Sequence, residues 1–250
     1  MIFRAVALLS ALSAADQQAD RGVDPAVDRA LGAWEAKVEA LTSFTCRFRQ
    51  EKQVSFMRRP LVSTGTIAFR AGPTRRLLWK TETPSPGFLS LDASEIRIYS
   101  PEFNTLEIVP LQATGSTSAL TGAFPGFSGD FTQLRTTYDI ALAPLPADSK
   151  STRLRLTPRG EALKKELVAV EITLGAESQV EGWKIVRVNG DELTLTISDF
   201  DAGAKLEEKE LTFAVPADAK ILQPAGAPRP PKDERKDAES PPTPKPGGGA

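Results

Sequence analysis

The sequence predicts a mainly β fold with some α: one large, strongly curved antiparallel sheet covered by an N-terminal amphipathic helix and short lid helices. Three observations predict it. Apolar and polar residues alternate in run after run through the middle of the chain, the two-residue period of half-buried strands. One stretch near the start carries helical spacing instead. Turn signals punctuate the runs, and few residues remain to build anything else.

Taken in order, residues 1–15 read as a secretory signal. Arg4 supplies the positive region, Ala5 to Leu12 the apolar run, and Ser13-Ala14-Ala15 a small-residue cleavage site. The run is far short of the ~20 residues that span a bilayer. The expectation is an exported, periplasmic chain. No cysteine follows the cleavage site, so the mature protein is expected to carry no lipid anchor of its own. With one cysteine in 250 residues there is no internal disulfide framework, and the core must hold the fold.

Asp24 to Leu41 reads as a helix. Asp24 is placed to cap it, with Pro25 at the first helical position. Val27, Leu31, Trp34, Val38 and Leu41 recur at three- and four-residue spacing and form one apolar stripe, which needs an apolar partner surface. Strand-like runs follow. Phe44, Cys46 and Phe48 alternate with Thr45, Arg47 and Arg49; then come Gly65, Ile67 and Phe69, Leu77 with Trp79, and Ile96 with Ile98. Further on are Leu154 with Leu156, the series Val168 to Leu174, the series Leu193 to Ile197, and a closing series of Leu211, Phe213 and Val215. Gly72-Pro73, Pro84-Ser85-Pro86-Gly87, Glu181-Gly182 and Asn189-Gly190-Asp191 mark turns, the last with hairpin chemistry. Thr114 to Leu134 breaks the rhythm with Gly, Ser and Phe and reads as short helical turns or a loop. The sheet is expected to be polar outside and apolar inside. So little helix over so large an apolar face suggests space beneath the caps.

Residues 16–223 therefore form the expected domain, and 224–250 the expected tail. The tail is dominated by Pro, Gly and mixed charge, as in Pro228-Arg229-Pro230-Pro231, and has no aliphatic side chain larger than alanine. Such a segment buries too little to offset its ordering entropy and reads as disordered.

Composition narrows the function. Lys plus Arg (31) nearly cancels Asp plus Glu (32), so no overall field favours nucleic acid. The absence of histidine removes the histidine-based triads and His-ligated zinc. Asp199 and Asp201 flank Phe200 without further acidic partners at ligand spacing and read as turn formers. Cys46 shares a strand face with two phenylalanines and reads as a small buried hydrophobe. The Lys164-Lys165 pair and the Glu207 to Glu210 run read as edge charge. No enzyme, metal or cofactor is expected.

Several local motifs, in order, resemble the LolA-type outer-membrane lipoprotein carriers. Leu41-Thr42-Ser43-Phe44-Thr45-Cys46-Arg47-Phe48-Arg49-Gln50 is similar to the family's Leu-x-Ser-Phe-x-x-x-Phe-x-Gln, and Thr64-Gly65-Thr66-Ile67 to its glycine-containing second strand. Gly72 to Trp79 resembles its Arg-Pro-x-x-Phe-x-Trp stretch, with Pro84 as the following proline. Tyr99-Ser100-Pro101, Thr157-Pro158 and Phe213-Ala214-Val215-Pro216 match in order and spacing. The resemblance runs from Asp24 to Leu222. It departs at Gly72, where the family has arginine, and at Asp92-Ala93-Ser94, where the family has an Asp-Gly turn.

What the resemblance implies is a half-barrel with helices as a lid, enclosing a cavity for lipoprotein acyl chains. The partners it implies are those lipids, an inner-membrane lipoprotein-releasing transporter and an outer-membrane receptor. The family's lid-holding arginine leaves Arg75 or Arg76 as stand-ins for gating. Phe44, Phe48, Phe69, Leu77, Trp79, Ile96 and Ile98 are the cavity candidates; taken singly, each also suits ordinary core. Trp34, Phe124, Phe127 and Phe131 are the lid candidates. A shuttle of this kind competes with membranes. Since each buried methylene contributes ~0.8 kcal/mol, three full acyl chains held tightly would pass the roughly 18–21 kcal/mol ceiling of non-covalent affinity. Loose apolar lining and an opening lid fit the task better than a tight pocket. The expected protein is a monomeric periplasmic carrier. The alternative is an envelope lipid- or lipoprotein-sensing module of a signalling system on the same fold.

Overall fold

The computed structural model describes residues 24–72, 75–92, 94–110 and 131–222. The expected signal segment, the tail, and the lid candidates Phe124 and Phe127 lie outside the described residues.

Among the described residues twelve strands form one open sheet. The first half is an antiparallel meander of β1 (Ser43–Gln53), β2 (Leu61–Arg70), β3 (Arg76–Thr83), β4 (Gly87–Leu91), β5 (Glu95–Ser100) and β6 (Thr105–Pro110). The second half is a meander of β7 (Tyr138–Ala143), β8 (Thr152–Pro158), β9 (Leu167–Leu174), β10 (Val180–Arg187) and β11 (Glu192–Ala202). Pairing of β1 with β11 joins the halves. A short β12 (Lys220–Leu222) adds to the free edge of β6. Strand twist accumulates across such a sheet, and open sheets beyond about ten strands curl.

Register places Phe44, Cys46, Phe48, Ile67, Phe69, Leu77 and Trp79 on one inner face of the first half. Trp183, Ile172, Val170, Leu154 and Leu156 continue that face through the second half. Helix α1 (Pro25–Ala40) lies against it. The Asp24 carboxylate accepts from the Ala26 N–H at 2.9 Å, and Pro25 opens the first turn as expected. Val27, Leu31 and Trp34 of its stripe are buried in one core with both halves of the sheet. A short α2 (Phe131–Thr137) adds Phe131 and Leu134, and α3 (Glu161–Lys164) is a single exposed turn.

Glycine is required at two places. A Cβ on Gly65 would collide with the Lys80 carbonyl across the β2–β3 ladder, where the register shifts and the ring of Phe48 leans in. Gly190, at φ +84°, closes the β10–β11 hairpin with the turn chemistry the sequence announces.

Five expectations are corrected. Glu181-Gly182 is not a turn: both residues lie inside β10, where Gly182 pairs with Thr196 and Thr173. Leu211, Phe213 and Val215 alternate like a strand, but among the described residues the segment pairs with no neighbour: it crosses the outer face of the first half as a strap. The sheet is not wholly antiparallel, because the chain emerging from that strap reaches β6 running the same way and pairs in parallel. The outer face of the first half is not polar, since Leu78, Tyr99 and Leu106 are buried on it. Val168 does not share the inner face of β9: a register shift at Arg187/Leu167 turns it outward, leaving it 42% exposed.

The strap is well anchored. Ser43 Oγ donates to the Ala204 carbonyl at 2.8 Å where the strap begins. Glu207 and Glu210 cap each other's backbone around a 3-10 turn, and Glu208 pairs with Arg70 (2.7 Å) and Arg76. Leu211 is 1% exposed, and Phe213 stacks on Phe88 (5.3 Å) and Tyr99 (6.1 Å). At the far side Asn104, in the left-handed region, donates from its amide to Asp218 and accepts from the Lys220 N–H at 2.8 Å.

Candidate functional site

The apolar stripe of α1 runs down the inner face and ends at Leu41, beside the start of β1. There the start of β1, the β9–β10 turn and the end of β11 converge beneath the helix. Trp34, Val38 and Leu41 line a pocket from above; Phe44, Phe69, Ile197 and Phe200 line it from the sheet; Ser178, Gln179 and Val180 close its side. Lys37 and Arg75 stand at its mouth. Phe44 is sandwiched between Phe69 (5.2 Å) and Phe200 (5.0 Å), which makes a stacked aromatic floor. The Arg75 guanidinium lies 5.4 Å from the centroid of the Phe69 ring.

The pocket is small, with a cavity volume of about 40 Å³. That admits a water or two and no acyl chain. The remaining inner face is filled by its own side chains: Phe48 against Trp79 (4.4 Å), Trp79 near Trp183 (6.5 Å), and Trp34 edge-on to Phe131 (4.9 Å). The expected roomy cavity is therefore absent among the described residues.

Helix α1 is held down by polar contacts at its margins. Arg135 of α2 reaches Asp28 at 3.2 Å and Glu35 at 3.5 Å, and Lys37 reaches Glu177 at 3.5 Å. All are at least partly exposed, and pairs of that kind contribute little each. The Trp34 indole N–H is buried without a hydrogen-bond partner among the described residues, which costs roughly 1–3 kcal/mol in the closed arrangement.

The sequence candidates separate in the structure. Phe44 and Phe69 line the pocket, Trp34 roofs it, and Arg75 stands at its mouth. Phe48, Leu77, Trp79 and Ile96 are buried on the inner face but away from it; Ile98 is half-buried on the same face. Phe131 touches the pocket only through Trp34. Arg76 does not face the lid at all: strand alternation puts it on the outer face, paired with Glu208 of the strap.

Sequence reading missed Phe200, Ile197 and the Ser178–Val180 turn as pocket residues. The signal that could have found Phe200 is a break in rhythm. Leu193, Leu195 and Ile197 step by two and the next large apolar residue comes three later, which is the signature of a bulge. Asp199 sits in that bulge at φ +51°, opposite the register shift in β1. Its neighbour Asp201 lies at the end of β11, exposed. Among the described residues no group of three metal-ligating side chains forms, and no helix is long and apolar enough to cross a membrane. Cys46 is buried on the inner face, and burial pushes its thiol up to about 12.

A second, larger space of about 740 Å³ lies under the strap on the outer face. Its floor is Ala68, Leu78 and Phe88, but Arg47, Lys80, Asp199, Lys209 and Glu210 also line it. The pocket under α1 has mostly apolar walls, and its roof is a helix whose margins are tied by exposed ion pairs while Val27, Leu31 and Trp34 bury its stripe in the core.

The family model described as outer membrane lipoprotein carrier protein LolA matches residues 39–214. No curated protein matches the chain. Among solved structures, an uncharacterized conserved protein from Thermus thermophilus is similar at 16% identity and a TM-score of 0.46, over 79% of this chain and 99% of that one. The lipoprotein LppX of Mycobacterium tuberculosis is similar at 16% identity and 0.44, over 74% of this chain and 100% of that one. A MucA/MucB complex structure from Pseudomonas aeruginosa is similar at 15% identity and 0.46, over 76% of this chain and 61% of that one.

Proposed function

This chain belongs to the outer membrane lipoprotein carrier protein LolA family, and on that premise we propose that it is a periplasmic carrier that takes up acyl chains of lipoproteins or related lipids beneath α1. The observation that carries the reading is the apolar pocket roofed by Trp34, Val38 and Leu41 over the Phe44–Phe69–Phe200 floor. It is too small to be a finished binding site, so this reading requires α1 to move.

The energetics suit a carrier. Lifting α1 exposes Val27, Leu31, Trp34, Val38 and Leu41, at a cost on the order of 1.5–3 kcal/mol per side chain, so roughly 10 kcal/mol in all. One acyl chain of roughly sixteen carbons returns ~0.8 kcal/mol per methylene relative to water, a sum of similar size. Against water the two terms nearly cancel; a chain taken from a membrane brings no such return, so uptake from a bilayer requires the stripe of α1 to be reburied against the acyl chain. Arg75 and Lys37 at the mouth suit a polar or anionic head left outside.

The test is displacement of an environment-sensitive fatty probe by a diacylated peptide, using detergent-free protein. Probe binding that Phe44→Asp weakens at least tenfold is the expected result. A protein that binds no probe, or one whose binding ignores Phe44→Asp and Val38→Asp in folded variants, overturns the proposal.

A further inference from the structure

Large apolar side chains left in water are not scattered over the described residues; they gather at one end of the sheet. Phe56 is 87% exposed and Phe103 67%, on the β1–β2 and β5–β6 turns. Val188 and Leu61 are 54% and 52% exposed, on the β10–β11 turn and at the start of β2. Antiparallel register puts all of these turns at the same end. Val62 and Val168 lie near that same end, Ile221 and Leu222 (66% and 47% exposed) lie on the edge strand β12, and Leu142, near the end of β7, is at the opposite end.

Phe56 is held out by a built turn. The Met57 N–H donates to the Val54 carbonyl at 2.9 Å, with Phe56 inside that turn. The Gln53 side-chain amide donates to the carbonyls of Val54 and Met57 at 3.1 and 2.7 Å. The Ser55 N–H donates to Asp191 at 3.0 Å, which ties this turn to the β10–β11 turn beside it. Hydrogen bonding from Ser55 is also the main influence holding the Asp191 carboxyl below its ordinary range. A core residue displaced by chance would have no such scaffold. Beyond Phe56 come Arg58 and Arg59, both exposed and without an ion pair among the described residues. The span from Val54 to Pro60 contains two cations and no acid.

We propose that this end of the sheet is a bilayer-docking rim, with Phe56 seated at the headgroup–acyl boundary of an anionic membrane and Arg58 and Arg59 on its phosphates. Separate apolar points on several turn tips, with cations beside the most exposed one, match a fluid two-dimensional surface. A protein partner would instead be met by one continuous apolar patch. The arginines select anionic lipid, since each cation held near such a surface strengthens binding several-fold at low salt. Glu102 beside Phe103 makes that turn an apolar contact without a share in the charge attraction.

The rim lies at the opposite end of the sheet from the pocket beneath α1, so the two are separable by mutation. The full chain is mixed with vesicles of phosphatidylethanolamine containing roughly one-third phosphatidylglycerol, or of phosphatidylcholine alone, and co-flotation is measured. Wild-type protein is expected to float with the anionic vesicles and to come off in high salt. Phe56→Ser and the double variant Arg58→Gln/Arg59→Gln should each lose about tenfold in partitioning, while probe binding under α1 is unchanged. Equal flotation of Phe56→Ser and wild type overturns the proposal, as does failure of the wild type to float. So does self-association that Phe56→Ser abolishes in the absence of vesicle binding, because the rim would then seat a second copy. A protein that docks through Phe56 yet binds no fatty probe leaves the rim standing and removes the carrier reading.

Discussion

The two halves of the sheet share one inner core but treat their outer faces differently. On the second half the outer face is wet and charged: Arg155 meets Glu171 at 2.5 Å across β8–β9, and Lys184 meets Glu192 at 2.9 Å across β10–β11. On the first half the outer face carries Leu78, Phe88, Tyr99 and Leu106, and the chain's own strap lies across it. The first half is thus closed on both sides, by core and by strap, while the second is closed on one. A strand's alternation reports which residues are half-buried. It does not report what buries them, and here one pattern serves a helix, a sheet neighbour and an unpaired strap.

The strongest test of that double closure is Cys46, on the inner face of β1 at the seam between the halves. Burial raises its thiol from 9.0 to about 12, against a smaller lowering influence from the Ile67 backbone. The thiolate is the reactive form, so near neutral pH alkylation of the native protein should run about a thousandfold slower than that of the unfolded chain. Because the folded state prefers the protonated thiol, the associated stability is complete below pH 9 and is lost as pH climbs from 9 towards 12. Rapid native-state labelling at pH 8, with unfolding kinetics too slow to explain it, would show that the seam is open.

Next comes the strap. Leu211→Ala removes a side chain that is 1% exposed between strap and sheet, and should cost about 2–5 kcal/mol. On the uncovered half, Val168→Ala at a position 42% exposed should stay within about 0.5 kcal/mol. Urea titrations of the two variants compare the halves directly. If Leu211→Ala costs no more than Val168→Ala, the strap is a loose appendage and the contrast fails.

Strands β8, β9 and β11 of the second half and all of α1 were legible. Asp24, Pro25 and the Val27–Leu31–Trp34 stripe specify the helix locally, and Asn189-Gly190 specifies a hairpin whatever surrounds it. The strap was not legible, because Leu211, Phe213 and Val215 have the period of a strand and hydrogen-bond pairing leaves no mark in side-chain pattern. The strands β4, β6, β7 and β10 escaped for a related reason: residues such as Leu89, Val109 and Ile140 are short partners in pairings set by their neighbours, and Glu181-Gly182 inside β10 has the look of a turn. Of the pocket, Trp34, Phe44, Phe69 and Arg75 were readable from spacing and resemblance. Phe200 was hidden by the bulge at Asp199, which shifts the alternation by one. Arg76 was misplaced because two adjacent arginines look alike in sequence, although β3 turns the second one outward.

A smaller effect belongs to the ionic latch on the strap. Glu208 bridges Arg70 and Arg76, but it is 56% exposed and both arginines are 32% exposed, so solvent screens the cluster. Glu208→Gln should cost about 1 kcal/mol or less, and the difference from wild type should shrink as salt rises. Denaturant midpoints at low and high ionic strength measure it. A cost matching that of Leu211→Ala would mean that charge, rather than the buried leucine, holds the strap.

The smallest expected effect lies on the uncovered half. Arg155 and Glu171 make the shortest outer-face pair there, directly opposite each other on β8 and β9, with 42% and 20% of their side chains exposed. Cross-strand opposite charges contribute roughly 0.2–1 kcal/mol, and water surrounds the arginine side of this pair. A double-mutant cycle with Arg155→Ala and Glu171→Ala should return a coupling of about 0.5 kcal/mol, falling with added salt. Coupling well above 1 kcal/mol and insensitive to salt would mean that this face too is shielded from water. A cover over the second half would then have to be sought outside the described residues. Coupling near the expected value keeps the asymmetry: one half of the sheet hides its back under the chain itself, and the other relies on charge and water.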